Sequence, residues 1–471
     1  MIKLRLFIIF FCIMSFYAQV SFATDYYLCA TGDGAGATDG SDWDNCYNGW
    51  SDISWAAVGA GDTLYVDGGA SSKSYGSVTV GSAGSSDSSR LVIKIGQDAG
   101  HNGTANFGSI TFSNRAYVTI DGEYNEERNF VLSGAMTMQT TTDPLVRYVE
   151  FNGGSMAAQW GSDGRISHCY FHDQTGDTLI SVAARNYQVT GYDQTLIDNN
   201  IFLLNRDAGG AGDGADGIQG CWGMTVEGNS FNSVVGTEGT NHMDYIQMQA
   251  NYIIVKGNTF VGSSDSCIDY DTWNGQPHHH KIYNNVFILI RGGGIRYYGG
   301  GGNAFSTLTD VYIANNTFVD HTSGHQYCVS FYSWNAGSTT LTNVFIKNNL
   351  FYNNSGTVVY IEGQSGFTPA DWNFDYNLIN GGSISIEGAY TQTNSFTGTP
   401  SFVDYTYESE TSDVDLAVDD TAAMDNGTDL SSYFTTDKDG NTRSGTWDIG
   451  AYEYNGAEAV PANAIQGVTI N

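Results

Sequence analysis

Side chains that could act as acids, bases and cation ligands cluster in one part of the chain. Asp244, Asp269 and Arg296 lie on short segments of alternating polar and apolar character, and His242 stands two residues before Asp244. Carboxylates beside a cationic group can donate and accept protons, because their neighbours shift their pKa values in opposite directions. These four residues are therefore the predicted catalytic set.

Amide and aromatic side chains accompany this set and predict a groove for an extended glycan. Aromatic faces stack on sugar rings, while amides and carboxylates bind hydroxyl groups. The predicted substrate-binding residues are Gln219, Gln247, Gln249, Trp273, Tyr298 and Tyr332. Asp244, Asp269 and Asp271 are the predicted ligands of Ca²⁺, a hard cation that prefers several oxygen ligands. The alternative is a solvated polar face without a ligand.

A local repeat leaves the orientation of two aspartates open. Asp216-Gly217-Ile218-Gln219 is followed by Asp244-Tyr245-Ile246-Gln247. Strict alternation counted from Ile246 points Asp244 inward, where an unpaired charge is costly. Either the alternation breaks and both aspartates face outward, or both cap turns by accepting hydrogen bonds from backbone amides.

The elements that must position these residues form a long repeat. Asparagine anchors recur at intervals of 29, 29, 27, 31, 33 and 28 residues, at Asn200, Asn229, Asn258, Asn285, Asn316, Asn349 and Asn377. All but the last are followed two residues later by phenylalanine, and a strand with an inward aliphatic residue occurs once per repeat. The pattern predicts an all-β fold, a single-stranded right-handed parallel β-helix with inward Asn, Phe and Ile columns. A β-propeller would need a period of about 40–45 residues.

The ends of the chain differ from the repeat. Residues 1–23 resemble a secretory signal, because Lys3 and Arg5 precede a short apolar run and Ser21-Phe22-Ala23 resembles a cleavage site. The run is shorter than the roughly 20 residues that span a bilayer. The predicted organisation is a signal peptide (1–23), an N-terminal cap and first coil (24–90), the β-helix (91–395) and a C-terminal cap segment (396–471). A helix-like stretch at 50–58 is the predicted N-terminal cap, and DIGAYEY near the C-terminus is predicted to close the chain as a strand.

Charge and cysteine content limit the class of function and the compartment that the sequence allows. The 18 basic and 50 acidic residues give a formal net charge of −32, which argues against nucleic acid binding. Cys29 and Cys46 could form a disulfide in an oxidising compartment, whereas Cys267 and Cys328 fit buried free thiols as well. We therefore expect an exported monomer, with no membrane span, whose partner is a polysaccharide.

The chain resembles a known superfamily. The N-terminal YYL…GDTLYV pattern, the NNxF coils and the closing DIGAYEY are similar to secreted bacterial right-handed parallel β-helix proteins of the pectin-lyase-like superfamily. This resemblance covers nearly the whole mature chain and implies the fold, while the superfamily includes lyases, hydrolases, epimerases and non-catalytic surface proteins. The segment 241–244, followed 21 residues later by Asp265-Ser266-Cys267-Ile268, is similar to the Asn-Thr-Asp and Asp-Asp-Cys-Ile motifs of polygalacturonases. It departs from them at Ser266, and three glycines at 292–294 stand where those enzymes carry a histidine.

The function expected from the sequence is a polysaccharide lyase that cleaves a uronate-containing polymer by β-elimination with Ca²⁺. Arg296 would neutralise the uronate or act as the base, with His242 or Tyr298 in support. One alternative is an inverting glycoside hydrolase, whose two carboxylates stand about 6.5–9.5 Å apart. The other is a non-catalytic protein that binds glycans or has a structural role at the cell surface.

Overall fold

The fold predicted from the repeat is confirmed in the computed structural model. It describes residues 23–173, 178–182, 195–204, 216–220, 223–233, 243–262, 265–271, 278–299, 307–321, 327–333, 340–362, 372–386, 394–454 and 456. Within these ranges the chain is almost entirely β-structure, and its strands stack in parallel ladders as a β-solenoid. No helix of the described part is long and apolar enough to cross a membrane.

Between Phe130 and Ile386, each coil contributes one strand to each of three faces. Face 1 consists of β1 (Asp25–Cys29), β2 (Tyr47–Asn48), β3 (Thr63–Val66), β5 (Leu91–Ile95), β7 (Val118–Asp121), β12 (Leu145–Arg147), β15 (Gly164–Ser167), β18 (Thr195–Asp198), β21 (Met224–Glu227), β24 (Ile253–Lys256), β27 (His278–Tyr283), β30 (Thr307–Ala314), β33 (Thr340–Lys347) and β36 (Trp372–Asp375). Face 2 consists of β10 (Phe130–Leu132), β13 (Val149–Asn152), β16 (Tyr170–His172), β19 (Ile201–Leu204), β22 (Ser230–Ser233), β25 (Thr259–Val261), β28 (Val286–Ile288), β31 (Thr317–Val319), β34 (Leu350–Tyr352) and β37 (Leu378–Asn380).

Face 3 carries the predicted functional residues. It consists of β11 (Met136–Thr142), β14 (Met156–Ser162), β17 (Thr178–Val182), β20 (Asp216–Gly220), β23 (Asp244–Met248), β26 (Ser266–Asp271), β29 (Gly293–Gly299), β32 (Val329–Ser333), β35 (Thr357–Ile361) and β38 (Ser383–Ile386). The longer strands β4 (Ser72–Thr79) and β6 (Thr104–Thr111) precede faces 2 and 3, and β6 pairs with the first strand of both. Two antiparallel pairs complete the β-structure, β8 (Glu123–Tyr124) with β9 (Glu127–Arg128) and β39 (Phe402–Asp404) with β40 (Asp413–Leu416).

The predicted inward columns are confirmed and explain the rigidity of the coil corners. The side-chain amide of Asn258 donates to Asn285 Oδ1 at 3.0 Å, and the same oxygen accepts the backbone N–H of Asn258 at 3.0 Å. The remaining anchors repeat this pattern from Asn200 to Asn377. Each buried asparagine thereby forms hydrogen bonds with the anchor of the neighbouring coil. Buried polar groups require such partners. Phenylalanine rings stack beside this ladder, with 4.8 Å between the centroids of Phe260 and Phe287.

The N-terminal cap differs from the sequence prediction in one element. Cys29 and Cys46 form the expected disulfide, and Cys267 and Cys328 are buried free thiols. The helix-like stretch at 50–58 forms only a 3₁₀ turn at Trp50–Asp52 followed by irregular turns. A segment this short nucleates a helix poorly, and its tertiary contacts hold it instead. The Trp50 indole donates to the Thr79 carbonyl at 2.7 Å.

The C-terminal segment packs along faces 1 and 2 instead of closing as a strand. Buried Arg443 donates to the Asn284 side chain and to the carbonyl of Gly450, both at 3.0 Å. The predicted closing strand DIGAYEY is irregular. Its own acidic side chains take up the backbone amides: Glu453 Oε2 accepts from Asp448 N at 3.0 Å, and Asp448 Oδ2 accepts from Tyr454 N at 2.6 Å. Local side-chain bonds of this kind compete with strand pairing.

Candidate functional site

Strand pairing on face 3 places the predicted polar residues in one outward column. Ile218, Ile246, Ile268 and Ile295 pair in register as the inward column. Val329 and Val359 continue this inward column. The residue after each of these six aliphatic residues faces outward, so that the successive neighbours are Gln219, Gln247, Asp269, Arg296, Ser330 and Tyr360. Period-two alternation positions this column, and it coincides with the register read from the sequence.

Asp244 leaves the strict alternation because Tyr245 takes the inward place. Tyr245 is fully buried, lies 5.7 Å from the Phe231 ring between centroids, and donates its hydroxyl to the Val261 carbonyl at 2.6 Å. Ile246, the next residue, is also in the core. Two consecutive inward residues break the pleat, and Asp244 is thereby brought to the guanidinium of Arg296 on the outer side.

The two aspartates of the local repeat therefore have different roles. Asp216 Oδ1 accepts the backbone N–H of Asp244 at 3.0 Å, which is the capping role. Asp244 lies where the pleat is broken, but its side chain is fully buried. Neither of the two alternatives that the sequence left open therefore describes Asp244.

Arg296 is the centre of the cluster. Its Nε donates to Asp269 Oδ1 at 2.6 Å, and its Nη1 donates to Asp265 Oδ2 at 3.1 Å. Its Nη2 lies 3.8 Å from Asp244 Oδ1. Three carboxyl groups from two neighbouring coils thus surround one guanidinium, which we call the Arg296 cluster (Asp244, Asp265, Asp269 and Arg296).

Burial makes the electrostatics of this cluster strong. The side chains of Asp244, Asp269 and Arg296 are 0%, 2% and 9% exposed, and that of Asp265 is 24% exposed. Loss of solvent raises the pKa of Asp244 well above its usual value, and the nearby charge of Asp269 raises it further, although Arg296 opposes the change. These surroundings therefore favour the protonated form of Asp244 more than solvent would.

The same surroundings favour the charged form of Arg296. Burial disfavours its charged form, but Asp269 and Asp244 outweigh this effect and raise the pKa of Arg296. A guanidinium held protonated in this way can balance negative charge and position its partners. This favours the predicted role of neutraliser over that of base.

The predicted glutamines form a chain beside the cluster. Gln219 Nε2 donates to Gln247 Oε1 at 2.6 Å, and Gln249 Nε2 donates to the same oxygen at 2.9 Å. Gln247 is buried, whereas Gln219 and Gln249 are partly exposed. Of these three glutamines, Gln219 and Gln249 are therefore the ones whose amides a ligand on face 3 could reach.

Several predicted residues cannot be placed. His242 and Trp273 lie outside the described residues, as do the side chains of Asp271 and Tyr332, although both of these residues belong to face 3 strands. Tyr298 is described and partly exposed, and its ring centroid lies 5.8 Å from Arg296 Cζ.

Asp265 is the member of the cluster that the predicted site set omitted. It lies just before β26, outside the alternating strand on which the prediction rested. Its signal was the similarity of Asp265-Ser266-Cys267-Ile268 to a polygalacturonase motif. A motif comparison, rather than strand periodicity, could have included it.

The described carboxylates do not fit Ca²⁺ as they are arranged. Asp244 and Asp269, two of its predicted ligands, contact Arg296, whose positive charge is already in the position a cation would take. Among the described residues, no group of three or more His, Cys, Asp or Glu side chains is arranged to hold a metal ion. Ca²⁺ therefore stays a prediction.

Comparison with known proteins returns resemblances of fold. No family model and no curated protein matches the chain. A pectate lyase structure is 15% identical over 93% of this chain and 98% of its own, with a TM-score of 0.49. A mannuronic acid-specific family 6 polysaccharide lyase from human gut microbiota is 16% identical over 70% and 78%, with a TM-score of 0.41. A family 6 alginate lyase variant is 12% identical over 81% and 54%, with a TM-score of 0.40.

The parallel β-helix predicted from the repeat is the fold that the three faces define. At these identities and TM-scores, the solved structures assign neither a residue nor a substrate to this chain.

Proposed function

We propose that the chain is a carbohydrate-active enzyme that cleaves a uronate-containing polysaccharide by β-elimination at the Arg296 cluster. The observation that carries the proposal is a buried Asp244, whose pKa is raised, and a partly exposed Asp265 beside the same guanidinium. An acid and a base are thereby fixed on one outward face, as acid–base catalysis requires.

In this elimination the two carboxyl groups have complementary roles. The Asp265 carboxylate takes the proton from the carbon next to the uronate carboxyl group. The electron pair of that C–H bond forms a carbon–carbon double bond, and the bond to the glycosidic oxygen breaks. Asp244 gives its proton to the departing oxygen and becomes a carboxylate near Arg296. The guanidinium stabilises this new charge, because opposite charges attract strongly in a buried site.

The position of the cluster supports a polymeric substrate. Gln219 and Gln249 lie along the same face on neighbouring coils, and Tyr298 lies beside Arg296. Such a row of amides and an aromatic ring suits an extended sugar chain. We propose these three residues as substrate-binding groups.

Hydrolysis is the second candidate, and one observation favours it. Asp244 and Asp265 occupy the motif positions similar to those of polygalacturonases, and both contact Arg296. In hydrolysis Asp244 would protonate the leaving oxygen while Asp265 activated a water molecule. The two reactions share the acid and differ in their products.

The test follows product formation on a panel of uronate-containing and neutral polysaccharides. Elimination creates an unsaturated uronate that absorbs near 235 nm, whereas hydrolysis creates reducing ends without this absorbance. We expect Asp244→Asn to lower kcat/KM by about 10²–10⁴-fold, the usual contribution of a general acid. The control is Glu227→Gln on face 1, which removes a surface ion pair with Lys256 and should leave the rate unchanged.

Activity should also fall as pH rises through the raised pKa of Asp244, because the acid is then lost. Asp244→Asn should remove this limb of the pH profile. Chelator and added Ca²⁺ test the predicted cofactor in the same assay. If neither product appears on any polymer, the enzyme proposal fails and the non-catalytic alternative is tested by binding.

We also propose that residues 1–23 direct export and that the protein acts outside the cell as a monomer. The apolar run with its preceding positive charges supports export, and the disulfide between Cys29 and Cys46 suits an oxidising compartment. N-terminal sequencing of exported protein should begin at Thr24, and sedimentation should give one chain. Retention of the full chain inside the cell would contradict this proposal.

A further inference from the structure

A second group of reactive side chains lies at the corner between faces 3 and 1. His278 and His279 begin β27, and Asp310 lies on β30 of the next coil. His279 and Asp310 stand opposite each other, because His278 pairs with Thr309 and His280 pairs with Val311. The Arg296 cluster and its proposed chemistry do not use these residues.

The backbone at this corner adopts an uncommon conformation in four consecutive coils. Tyr252, His279, Asp310 and Asn343 have φ angles of 60°, 60°, 54° and 55°. A positive φ is unfavourable for residues other than glycine and is often found at functional sites. Here it turns the side chains of one column outward, where they contact each other.

The two imidazoles are held with their nitrogens facing each other. His278 Nδ1 lies 2.8 Å from His279 Nδ1, and the ring planes are inclined by 84°. Tyr252 packs on both rings, with its centroid 4.5 Å from that of His279 and 5.3 Å from that of His278. The backbone N–H of His278 donates to Asn251 Oδ1 at 2.9 Å. Both rings are thus fixed before any ligand arrives.

The remaining nitrogen of His279 has a carboxylate partner. His279 Nε2 lies 3.2 Å from Asp310 Oδ2, and the other oxygen of Asp310 accepts from Asn343 Nδ2 at 2.5 Å. A histidine that binds a metal through one nitrogen usually donates the other N–H to a carboxylate, which fixes its tautomer. In that tautomer Nδ1 of His279 carries a lone pair directed at His278.

We propose that His278 and His279 form a binding site for a divalent transition-metal ion, with Asp310 as the positioning residue for His279. Two imidazole nitrogens 2.8 Å apart otherwise require that one of them carries a proton. A metal ion removes this requirement by accepting both lone pairs. Because only these two side chains are proposed as protein ligands, water would complete the coordination sphere.

The nitrogen separation also indicates which ion fits best. Two ligands about 2.0 Å from a metal and at about 90° to each other are about 2.8 Å apart, as in tetragonal Cu²⁺ or Ni²⁺ sites. Tetrahedral Zn²⁺ with similar bond lengths needs about 3.3 Å, so the rings would have to move apart. We therefore expect Cu²⁺ and Ni²⁺ to bind more tightly than Zn²⁺.

One further property agrees with metal binding. The His279 side chain is 35% exposed, which leaves the site open to an ion from solvent.

The experiment titrates tag-free protein with Cu²⁺, Ni²⁺ and Zn²⁺ by calorimetry, and records the electron paramagnetic resonance spectrum of bound Cu²⁺. We expect a single tight site with nitrogen hyperfine structure. His279→Asn should abolish it while retaining the fold, because asparagine tolerates a positive φ. Asp310→Asn should weaken binding by about 10–100-fold, the usual effect of losing such a partner.

The matched control is His172→Ala. His172 is a partly buried surface histidine whose nitrogens both face carboxylates, Glu150 at 3.0 Å and Asp173 at 2.8 Å. Its loss should leave the site intact. Equal binding by wild type and His279→Asn would overturn the proposal, and so would the absence of saturable binding by any of the three ions. Tighter binding of Zn²⁺ than of Ni²⁺ would overturn the geometric argument for the preferred ion.

Discussion

Replacing Arg296 tests whether the cluster on face 3 is the electrostatic unit that the structure shows. Arg296→Met keeps most of the apolar stem but removes the guanidinium that contacts Asp244, Asp265 and Asp269. Asp244 and Asp269 are almost fully buried, so the change leaves carboxyl groups in a low-dielectric site without their cation. Breaking a buried ion pair in this way costs about 3–5 kcal/mol of unfolding free energy.

A matched surface variant shows whether the loss of unfolding free energy comes from the buried cluster or would follow the removal of a positive charge elsewhere. Lys256→Met on face 1 breaks the ion pair with Glu227. In this pair the Lys256 side chain is 30% exposed and the Glu227 side chain is 45% exposed. Exposed pairs of this kind contribute about 1 kcal/mol or less. Chemical denaturation of both variants near neutral pH, followed by hydrogen exchange of β23, β26 and β29, should show the larger loss and locate it on face 3.

The pH dependence supplies a second criterion. Without Arg296 the buried carboxyl groups bind protons more tightly in the folded than in the unfolded chain. The destabilisation should therefore grow as pH rises above about 4, the ordinary aspartate range, and shrink below it. Equal losses in Arg296→Met and Lys256→Met, or a loss that does not change with pH, would refute the electrostatic account of the cluster.

Two further variants test other parts of the fold. Asn258→Ala removes a buried amide that both donates to and accepts from neighbouring coils, and should cost about 3 kcal/mol or more, whereas Asn106→Ala, which loses one hydrogen bond at a partly buried site, should cost about 1 kcal/mol by denaturation. Burial and the nearby charge of Asp413 raise the pKa of Asp415 to about 7, so the protein should lose stability as pH rises from about 4 to 7. Asp415→Asn should reduce this loss in thermal unfolding measured across the same pH range, and an unchanged pH profile would contradict the assigned cause.

The sequence was most informative where one residue type repeats at the same place in every coil. The strand register on face 3 and the asparagine ladder followed from such columns, because each inward side chain contacts its own kind on the next coil. The broken pleat at Asp244 did not follow, since it depends on Tyr245 filling a place among phenylalanine rings. Alternation alone cannot show which of two apolar neighbours the core accepts.

The ends of the chain also contain elements that could not be predicted from the sequence. The segment at 50–58 has the composition of a helix, but contacts such as the Trp50–Thr79 hydrogen bond determine its irregular course. The closing DIGAYEY alternates like a strand, yet Asp448 and Glu453 bind nearby backbone amides instead. Competition between side chains and strand pairing depends on distances that a sequence pattern does not contain.

The separation of inward and outward columns explains why this fold can carry a buried charge cluster. The isoleucine and asparagine columns stabilise each coil independently of the residue that follows on the outer side. Face 3 can therefore place Asp269 and Arg296 side by side, because the strands that hold them are fixed by Ile268 and Ile295. Burial and the charge of Asp269 in turn raise the pKa of Asp244. The reactivity proposed for this site thus rests on the contacts of Asp244 and Asp265 with the outward Arg296, while the inner columns hold the strands in register.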